Sequence, residues 1–102
     1  MAQLVVTYGT PTDPAAFDRH YAEIHVPLAR KLPGLRRFEL SDGPVMTPEG
    51  PAGVHLIAIL TFDSLEALAA ASASPEGQAA AADVATFATG GATLLMYETR
   101  TV

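Results

Sequence analysis

Three side chains that could line a reactive site recur at every fourth position of one segment: Phe17, Tyr21 and His25. Residues four apart lie on the same side of an α-helix, so a ring, a phenol and an imidazole would form one row. An imidazole titrates near neutral pH, which makes His25 the candidate general acid or base. Tyr21 could hydrogen-bond a carbonyl oxygen of a ligand. Ordinary packing explains the same row equally well, with the imidazole holding backbone groups near Pro27.

The position of His25 on the helix leaves both interpretations open. At a step of about 100° per residue, His25 lies about 80° from Phe17, at the edge of the apolar face. From an edge, a side chain can reach either a cavity or a loop. His20 falls across the helix from His25, so we expect it at the solvent or on a rim. The acidic residues of the helices are expected on solvated faces: Asp18, Glu23 and Asp83.

The first half of the chain predicts a strand, a helix and a second strand. The strands are Leu4–Tyr8 and Leu35–Leu40. Asp13 suits a helix N-cap, and the helix it begins runs to Lys31. Pro27 removes a backbone donor inside that helix, which predicts a kink between Glu23 and Pro27.

The second half predicts a long loop, a strand, a helix in two pieces and a final strand. Residues Ser41–Gly53 contain three glycines and three prolines, as in a lid or binding loop. Val54–Phe62 is apolar on both alternating rows, as in a strand covered on both sides. Asp63 stands in capping-box spacing to Glu66 and begins one helical piece. The remaining elements are a helical piece from Ser74–Pro75 to about Ala88 and a strand from Thr93 to Thr99.

The predicted order is βαββαβ, an α+β, ferredoxin-like arrangement of a four-stranded antiparallel sheet with two helices on one face. We expect one domain over residues 1–102, since the chain is too short for two cores. The face without helices needs cover, because the third and fourth main strands are apolar on both rows. A second copy of the chain is the simplest cover, so we expect a homodimer enclosing a barrel-like interior.

Composition argues against several classes of function. A formal charge of −5 argues against nucleic acid, and no apolar run reaches the length of a membrane span. The absence of cysteine excludes disulfides and thiolate catalysis. No predicted element brings His20, His25 and His55 together, so no metal site is expected. The sequence has no flavin-binding or nicotinamide-binding fingerprint, so no cofactor is expected. The N-terminus has no basic leader, which favours a cytoplasmic protein.

His55 projects from the opposite row of its strand to Leu56. On the barrel-facing row it would be a second polar group inside an apolar site, and on the helix-facing row a core histidine. The sequence favours neither of these two positions for His55. Tyr8 and Met96 are strand residues that could line the cavity, although apolar strand residues are more often plain core.

Two stretches carry a resemblance to a known family. Phe17…Tyr21…His25-Val26-Pro27…Leu32-Pro33-Gly34 resembles the signature helix of the EthD family of the dimeric α+β barrel superfamily. Ser74-Pro75-Glu76-Gly77…Asp83…Phe87…Gly90-Gly91 is similar to that family's second helix and its exit turn. The superfamily includes cofactor-free monooxygenases acting on aromatic polyketides, lactone isomerases, polyketide cyclases, dehydratases and proteins with no established activity. The resemblance implies the fold and a pocket, and it does not settle a reaction.

The sequence thus favours a pocket for a small hydrophobic or aromatic molecule that carries oxygen. His25 would shuttle a proton, with Tyr21 and His55 orienting a carbonyl or hydroxyl. The other expected binding residues are Phe17, Tyr8 and Met96. Cofactor-free oxygenation, isomerisation and dehydration are all compatible with this set of side chains. Two alternatives stay open: a non-catalytic dimeric binding or accessory protein, and a barrel filled completely by side chains.

Overall fold

The elements follow the predicted order in the computed structural model, which describes residues 1–102. Four main strands form one antiparallel sheet, in the order β2-β5-β1-β6. They are β1 (Ala2–Gly9), β2 (Arg37–Leu40), β5 (Val54–Phe62) and β6 (Ala92–Glu98). The helices are α1 (Pro14–His20), α2 (Val26–Arg30), α3 (Leu65–Ala73) and α4 (Pro75–Phe87). This is the ferredoxin-like α+β arrangement that the sequence predicts, and no helix is both long and apolar enough to cross a membrane.

The kink predicted near Pro27 is a π-helical segment, Tyr21–His25, which joins α1 to α2. The backbone N–H of Val26 donates to the carbonyl of Tyr21, five residues back. Pro27 cannot donate to the carbonyl of Glu23, and its ring crowds that carbonyl, so the α-helical register breaks here. In the wider π-helical turn, residues five apart come to the same side of the helix.

Two helix starts agree with the sequence prediction. The Asp13 carboxylate accepts a hydrogen bond from the backbone N–H of Ala16 at 3.1 Å and caps α1. The Ser74 hydroxyl accepts one from the N–H of Gly77 at 3.0 Å and caps α4. A side chain at Gly77 would collide with the carbonyl oxygens of Ala71 and Ser72, so this glycine permits the close approach of α4 to the end of α3.

The start of α3 differs from the prediction, because Ser64 and not Asp63 is its cap. The Ser64 hydroxyl accepts from the N–H of Ala67 at 3.1 Å. The Asp63 carboxylate instead binds the guanidinium of Arg36 through two hydrogen bonds of 3.0 and 2.8 Å. The bidentate geometry of a guanidinium competes effectively for this exposed carboxylate.

The loop Ser41–Gly53 contains a small hairpin, which the prediction of a structureless connection missed. Strands β3 (Met46–Thr47) and β4 (Gly50–Pro51) pair in antiparallel register. The Ser41 hydroxyl accepts a hydrogen bond from the N–H of Ile57 at 2.9 Å and fastens the start of the loop to β5.

The helices cover one face of the sheet and leave the other face open. The rows of β1 and β5 under the helices are the most buried and form much of the core: Val6, Tyr8, Ala58, Leu60 and Phe62. Helix α4 packs mainly against α3, α2 and the π-helical segment instead of the sheet. Its last residue, Phe87, reaches β1, where its ring lies 5.5 Å from that of Tyr8.

Candidate functional site: a histidine–aspartate pair beside an apolar cavity

A cavity of about 240 Å³ lies between α4 and the sheet. Its floor includes Val6 and Ala58, and its roof includes Ala80 and Val84. Fourteen of its seventeen lining residues are hydrophobic, so it suits a mainly apolar molecule. The space between the helices and the sheet is therefore not completely filled by side chains.

The cavity lies on the helix-covered side of the sheet, within a single chain, and not in an interior between two sheets. The reason is the composition of α4. This helix is rich in alanine, whose side chains are short, and its last residue, Phe87, packs on Tyr8. The cavity opens toward β6, where Leu94 and Met96 are 52% and 60% exposed.

His25 lines this cavity and is tied to α4 by Asp83. Its Nδ1 lies 3.0 Å from Asp83 Oδ2, and the two side chains are only 7% and 11% exposed. The sequence placed His25 at the edge of the apolar face. The π-helical segment turns it inward, because each residue there advances less round the axis than in an α-helix.

His20 binds the other oxygen of the same carboxylate, with Nε2 at 2.8 Å from Asp83 Oδ1. The predictions that His20 points away from His25 and that Asp83 is solvated are therefore wrong. In an α-helix these histidines would lie about 140° apart, but a π-helical turn aligns residues at a spacing of five. The sequence signal for this arrangement was the five-residue spacing of His20 and His25 just before Pro27, because a proline there disfavours the α-helical register. The hydroxyl of Thr86 also donates to Asp83 Oδ1, at 3.2 Å.

Hydrogen bonding fixes where the proton of neutral His25 sits. Burial raises the pKa of Asp83, but the hydrogen bonds from His20 and His25 outweigh it and leave this pKa below its ordinary value of 3.8. An ionised carboxylate only accepts, so Nδ1 of His25 must carry the proton that it donates. Nε2 then keeps its lone pair and has no hydrogen-bond partner within the protein.

The pKa of His25 is lowered from 6.5, mainly because burial disfavours the imidazolium, although the Asp83 carboxylate opposes this. At neutral pH the ring is therefore a neutral base. This is the protonation state that proton abstraction requires.

Two tyrosines add hydrogen-bond donors to the same cavity. Burial raises the pKa of Tyr8 to about 12 even though a hydrogen bond with Tyr21 opposes the shift. Burial raises the pKa of Tyr21 still more, and Tyr8 adds to the effect. Both phenols stay protonated at neutral pH. The bond between them uses one O–H, which leaves the other O–H to donate to an oxygen of a bound molecule.

Of the six residues singled out in the sequence, four line the cavity: His25, Tyr21, Tyr8 and Met96. Phe17 and His55 do not. Phe17 is 3% exposed and belongs to the aromatic core, where its ring stacks on that of Tyr21 at 5.7 Å.

His55 faces α1 and not the cavity. A register shift between Tyr8 and Gly9 leaves His55 without a cross-strand partner, and such a bulge redirects a side chain. Its Nε2 lies 2.8 Å from Asp18 Oδ1 and its ring meets Phe17 edge-on at 4.8 Å. His55 and Asp18 line a separate, more polar groove together with the Ser41–Gly53 loop.

Strand order and helix placement define a ferredoxin-like α+β protein. Comparison with solved structures agrees with this fold. SnoaB, a cofactor-independent oxygenase from Streptomyces nogalater, superposes with a TM-score of 0.67. It is 18% identical, over 99% of this chain and 94% of that one. The family profile of the EthD domain matches residues 9–91. The chain belongs to the EthD family.

Two relatives are similar over almost their whole length. A crystal structure of an ethyl tert-butyl ether D (EthD) family protein from Bacillus halodurans superposes with a TM-score of 0.90. It is 35% identical, over 98% of this chain and 99% of that one. An uncharacterised 11.0 kDa protein from the thcB–thcC intergenic region of Rhodococcus erythropolis is 45% identical, over 100% of this chain and 98% of its own length. Membership in this family supports a role in binding a small molecule.

Proposed function

We propose that this EthD protein binds a small, mainly apolar molecule bearing a carbonyl or hydroxyl oxygen, and that His25 moves a proton on that molecule without a cofactor. One observation carries the proposal. An otherwise apolar cavity is lined by an imidazole whose Nδ1 is held by Asp83 and whose Nε2 lacks a partner.

The cavity limits the class of ligand by size and charge. A cavity of about 150 Å³ holds benzene, so about 240 Å³ suits one substituted ring or a compact pair of rings. No lysine or arginine lines it, which disfavours a carboxylate or phosphate ligand. Its polar groups include His25, Tyr8 and Tyr21, so we expect the oxygen-bearing end of the ligand to lie beside them.

The proposed chemistry begins when Nε2 of His25 takes a proton from a carbon or hydroxyl next to the ligand carbonyl. His25 becomes an imidazolium, stabilised by Asp83, and the ligand oxygen gains negative charge. The phenol of Tyr21 or Tyr8 donates to that oxygen. Return of the proton at a neighbouring atom completes an isomerisation, and its transfer to a leaving hydroxyl completes a dehydration. A bound enolate that reacts with dioxygen would give an oxygenation.

We further propose that the open face of the sheet forms a homodimer. Val5 pairs with both Ile59 and Leu95, so these three lie in one row across the open face. Leu95 is 57% exposed in the isolated chain. A solved neighbour with the ferredoxin-like fold is itself a dimeric protein. We expect light scattering to give about twice 10.6 kDa, and Leu95→Glu to give the monomer mass. A particle of 10.6 kDa at micromolar concentration would contradict the dimer.

The binding part is tested with a matched pair of variants on one helix. Ala80 lines the cavity, whereas its neighbour Ala79 is exposed. Calorimetry against a panel of one-ring and two-ring phenols, hydroxyquinones and lactones should find ligands that bind wild type and Ala79→Leu alike. Ala80→Leu fills the cavity and should weaken the same ligands at least tenfold. Equal binding by all three proteins would place the ligand elsewhere.

The catalytic part is tested with His25→Gln. An enzyme should keep most of its ligand affinity in this variant and lose turnover by about 10²–10⁴-fold, the usual contribution of general acid–base catalysis. Ligands that bind wild type with no turnover in air, without added cofactor, would instead support the non-catalytic carrier.

A further inference from the structure

Asp83 is shared between two imidazoles that face different environments. His25, on Oδ2, lines the cavity and is 7% exposed, while His20, on Oδ1, is 31% exposed. His20 lines a surface groove together with Asp13 and Thr86. The two rings thus connect the cavity to solvent through one carboxylate.

A single carboxylate balances a single imidazolium. A second imidazolium would leave a net positive charge in a mostly buried cluster and would be repelled by the first. The other titratable groups around the cluster offer no compensation on the cavity side. Tyr8 from β1 and Tyr21 from the π-helical segment are uncharged at neutral pH, and α2 and α3 put no charged side chain into the cavity lining. Asp13 lines the surface groove with His20 and does not line the cavity.

We propose that His20, Asp83 and His25 hold one positive charge at a time, so that proton uptake by His25 in the cavity is coupled to proton release from His20 to solvent. The coupling to a ligand proton rests on the proposed function. The coupling between the two rings does not, and it can be measured without any ligand.

The proton accounting closes without a proton crossing Asp83. His25 Nε2 gains a proton from the ligand, and its Nδ1–H remains on Oδ2. When His20 carries the single charge, it loses its Nδ1 proton to water, and its Nε2–H remains on Oδ1. The ligand becomes an anion while the cluster keeps its charge. His20 is thus a positioning residue that acts through Asp83.

The test follows the imidazole carbon-bound protons by NMR as a function of pH, with the proton as the only probe. In wild type the His25 resonance should show two inflections, one for each ring, since coupled sites titrate in separate steps. In His20→Gln one inflection should remain, shifted upward by about one pH unit because the competing charge is gone. His55→Gln, which alters the pair outside the cavity, should leave the curve of His25 unchanged.

An unchanged or downward-shifted His25 curve in His20→Gln would overturn the proposal. If that variant does not fold, the wild-type curve decides, because a single inflection of His25 across the titration of His20 overturns the proposal too. Two inflections in a protein that turns over no ligand would keep this inference and reject the catalytic one. Turnover of a ligand by a protein whose His25 shows a single inflection would keep the catalytic proposal and reject the coupling between the two rings.

Discussion

The molecule contains two histidine–aspartate pairs of nearly the same length in very different surroundings. His25 and Asp83 approach to 3.0 Å at 7% and 11% exposure, whereas His55 and Asp18 approach to 2.8 Å at 21% and 65% exposure. The first pair lies beside an apolar cavity, and the second lies along an open, more polar groove. Distance alone therefore does not distinguish a site from a surface ion pair.

Burial gives the first pair its chemical character. Removing water strengthens the interaction of Asp83 with its donors and disfavours a charge on His25, so the carboxylate is ionised and the imidazole neutral. Water around Asp18 screens its interaction with His55 and competes for its lone pairs. The comparison shows that the aromatic and alanine-rich surroundings of His25, by excluding water, keep its imidazole neutral and able to act as a base. The following changes test this.

Asp83→Asn should have the largest effect. An amide offers one acceptor oxygen where the carboxylate offers two, so one imidazole must face the amide N–H₂. If that ring is His25, its Nδ1 becomes an acceptor, its proton moves to Nε2 and the base is lost. We expect turnover of any ligand found by the binding panel to fall by about 10²–10⁴-fold.

The matched control for this change is Asp18→Asn, which should leave turnover unchanged. Nitrogen-15 NMR of the imidazoles reports the tautomer with no ligand present. Finding that neither imidazole changes its tautomer in Asp83→Asn, so that both His20 and His25 still donate toward position 83, would refute the assigned role of the carboxylate.

Phe87→Ala should make the buried pair resemble the exposed one. The Phe87 ring lies 4.9 Å from that of His25 and 5.3 Å from that of His20, and it also contacts Tyr8. Its removal should lower the free energy of unfolding by about 3–5 kcal/mol and admit water to the pair. Urea unfolding measures the first effect, and a rise in the pKa of His25 by NMR reports the second.

Met96→Ala serves as the control because it also shortens a cavity-lining side chain, but at the exposed mouth. It should cost about 1 kcal/mol or less. An equal loss in both variants would mean that the aromatic cluster has no special part in protecting the pair.

The pH dependence of stability should come from the buried pair. The folded protein holds the pKa of His25 below its ordinary 6.5, so the unfolded chain binds a proton that the folded chain refuses. The free energy of unfolding should therefore decrease as pH falls from 7 through 6.5 to the folded pKa of His25. It should decrease again below pH 3.8, as pH falls through the lowered pKa of Asp83.

Urea titrations between pH 7 and pH 5 should show the first decrease in wild type and in His55→Gln. His25→Gln removes the titrating ring and should flatten this part of the curve. A decrease of the same size in His25→Gln would assign the effect to other groups.

The smallest effect is expected at the exposed pair. A double-mutant cycle of His55→Gln and Asp18→Asn should give a coupling energy of about 0.5 kcal/mol or less, as for other solvent-exposed ion pairs. The corresponding cycle at His25 and Asp83 should give a larger value. Equal coupling energies would show that burial contributes nothing to the difference.

Much of the fold was predictable because its signals are local. The apolar run Val54–Phe62 and the capping groups at Asp13 and Ser74 act over a few residues, and these elements appear where expected. The same local view misassigned the cap of α3, because the bidentate binding of Asp63 to Arg36 joins residues distant in sequence. Local pattern therefore predicts which elements form, and long-range contacts adjust their ends.

The sequence by itself determined the order of elements, the family resemblance and the row containing Tyr21 and His25. Only the tertiary structure decided that His20 and His25 share Asp83, fifty-eight residues from His25 along the chain. It also decided that His55 turns toward Asp18 and that the cavity lies under α4. The physical reason is that helical and strand periodicity follow from backbone geometry, whereas burial, and with it the protonation of an imidazole, depends on which distant side chains exclude water.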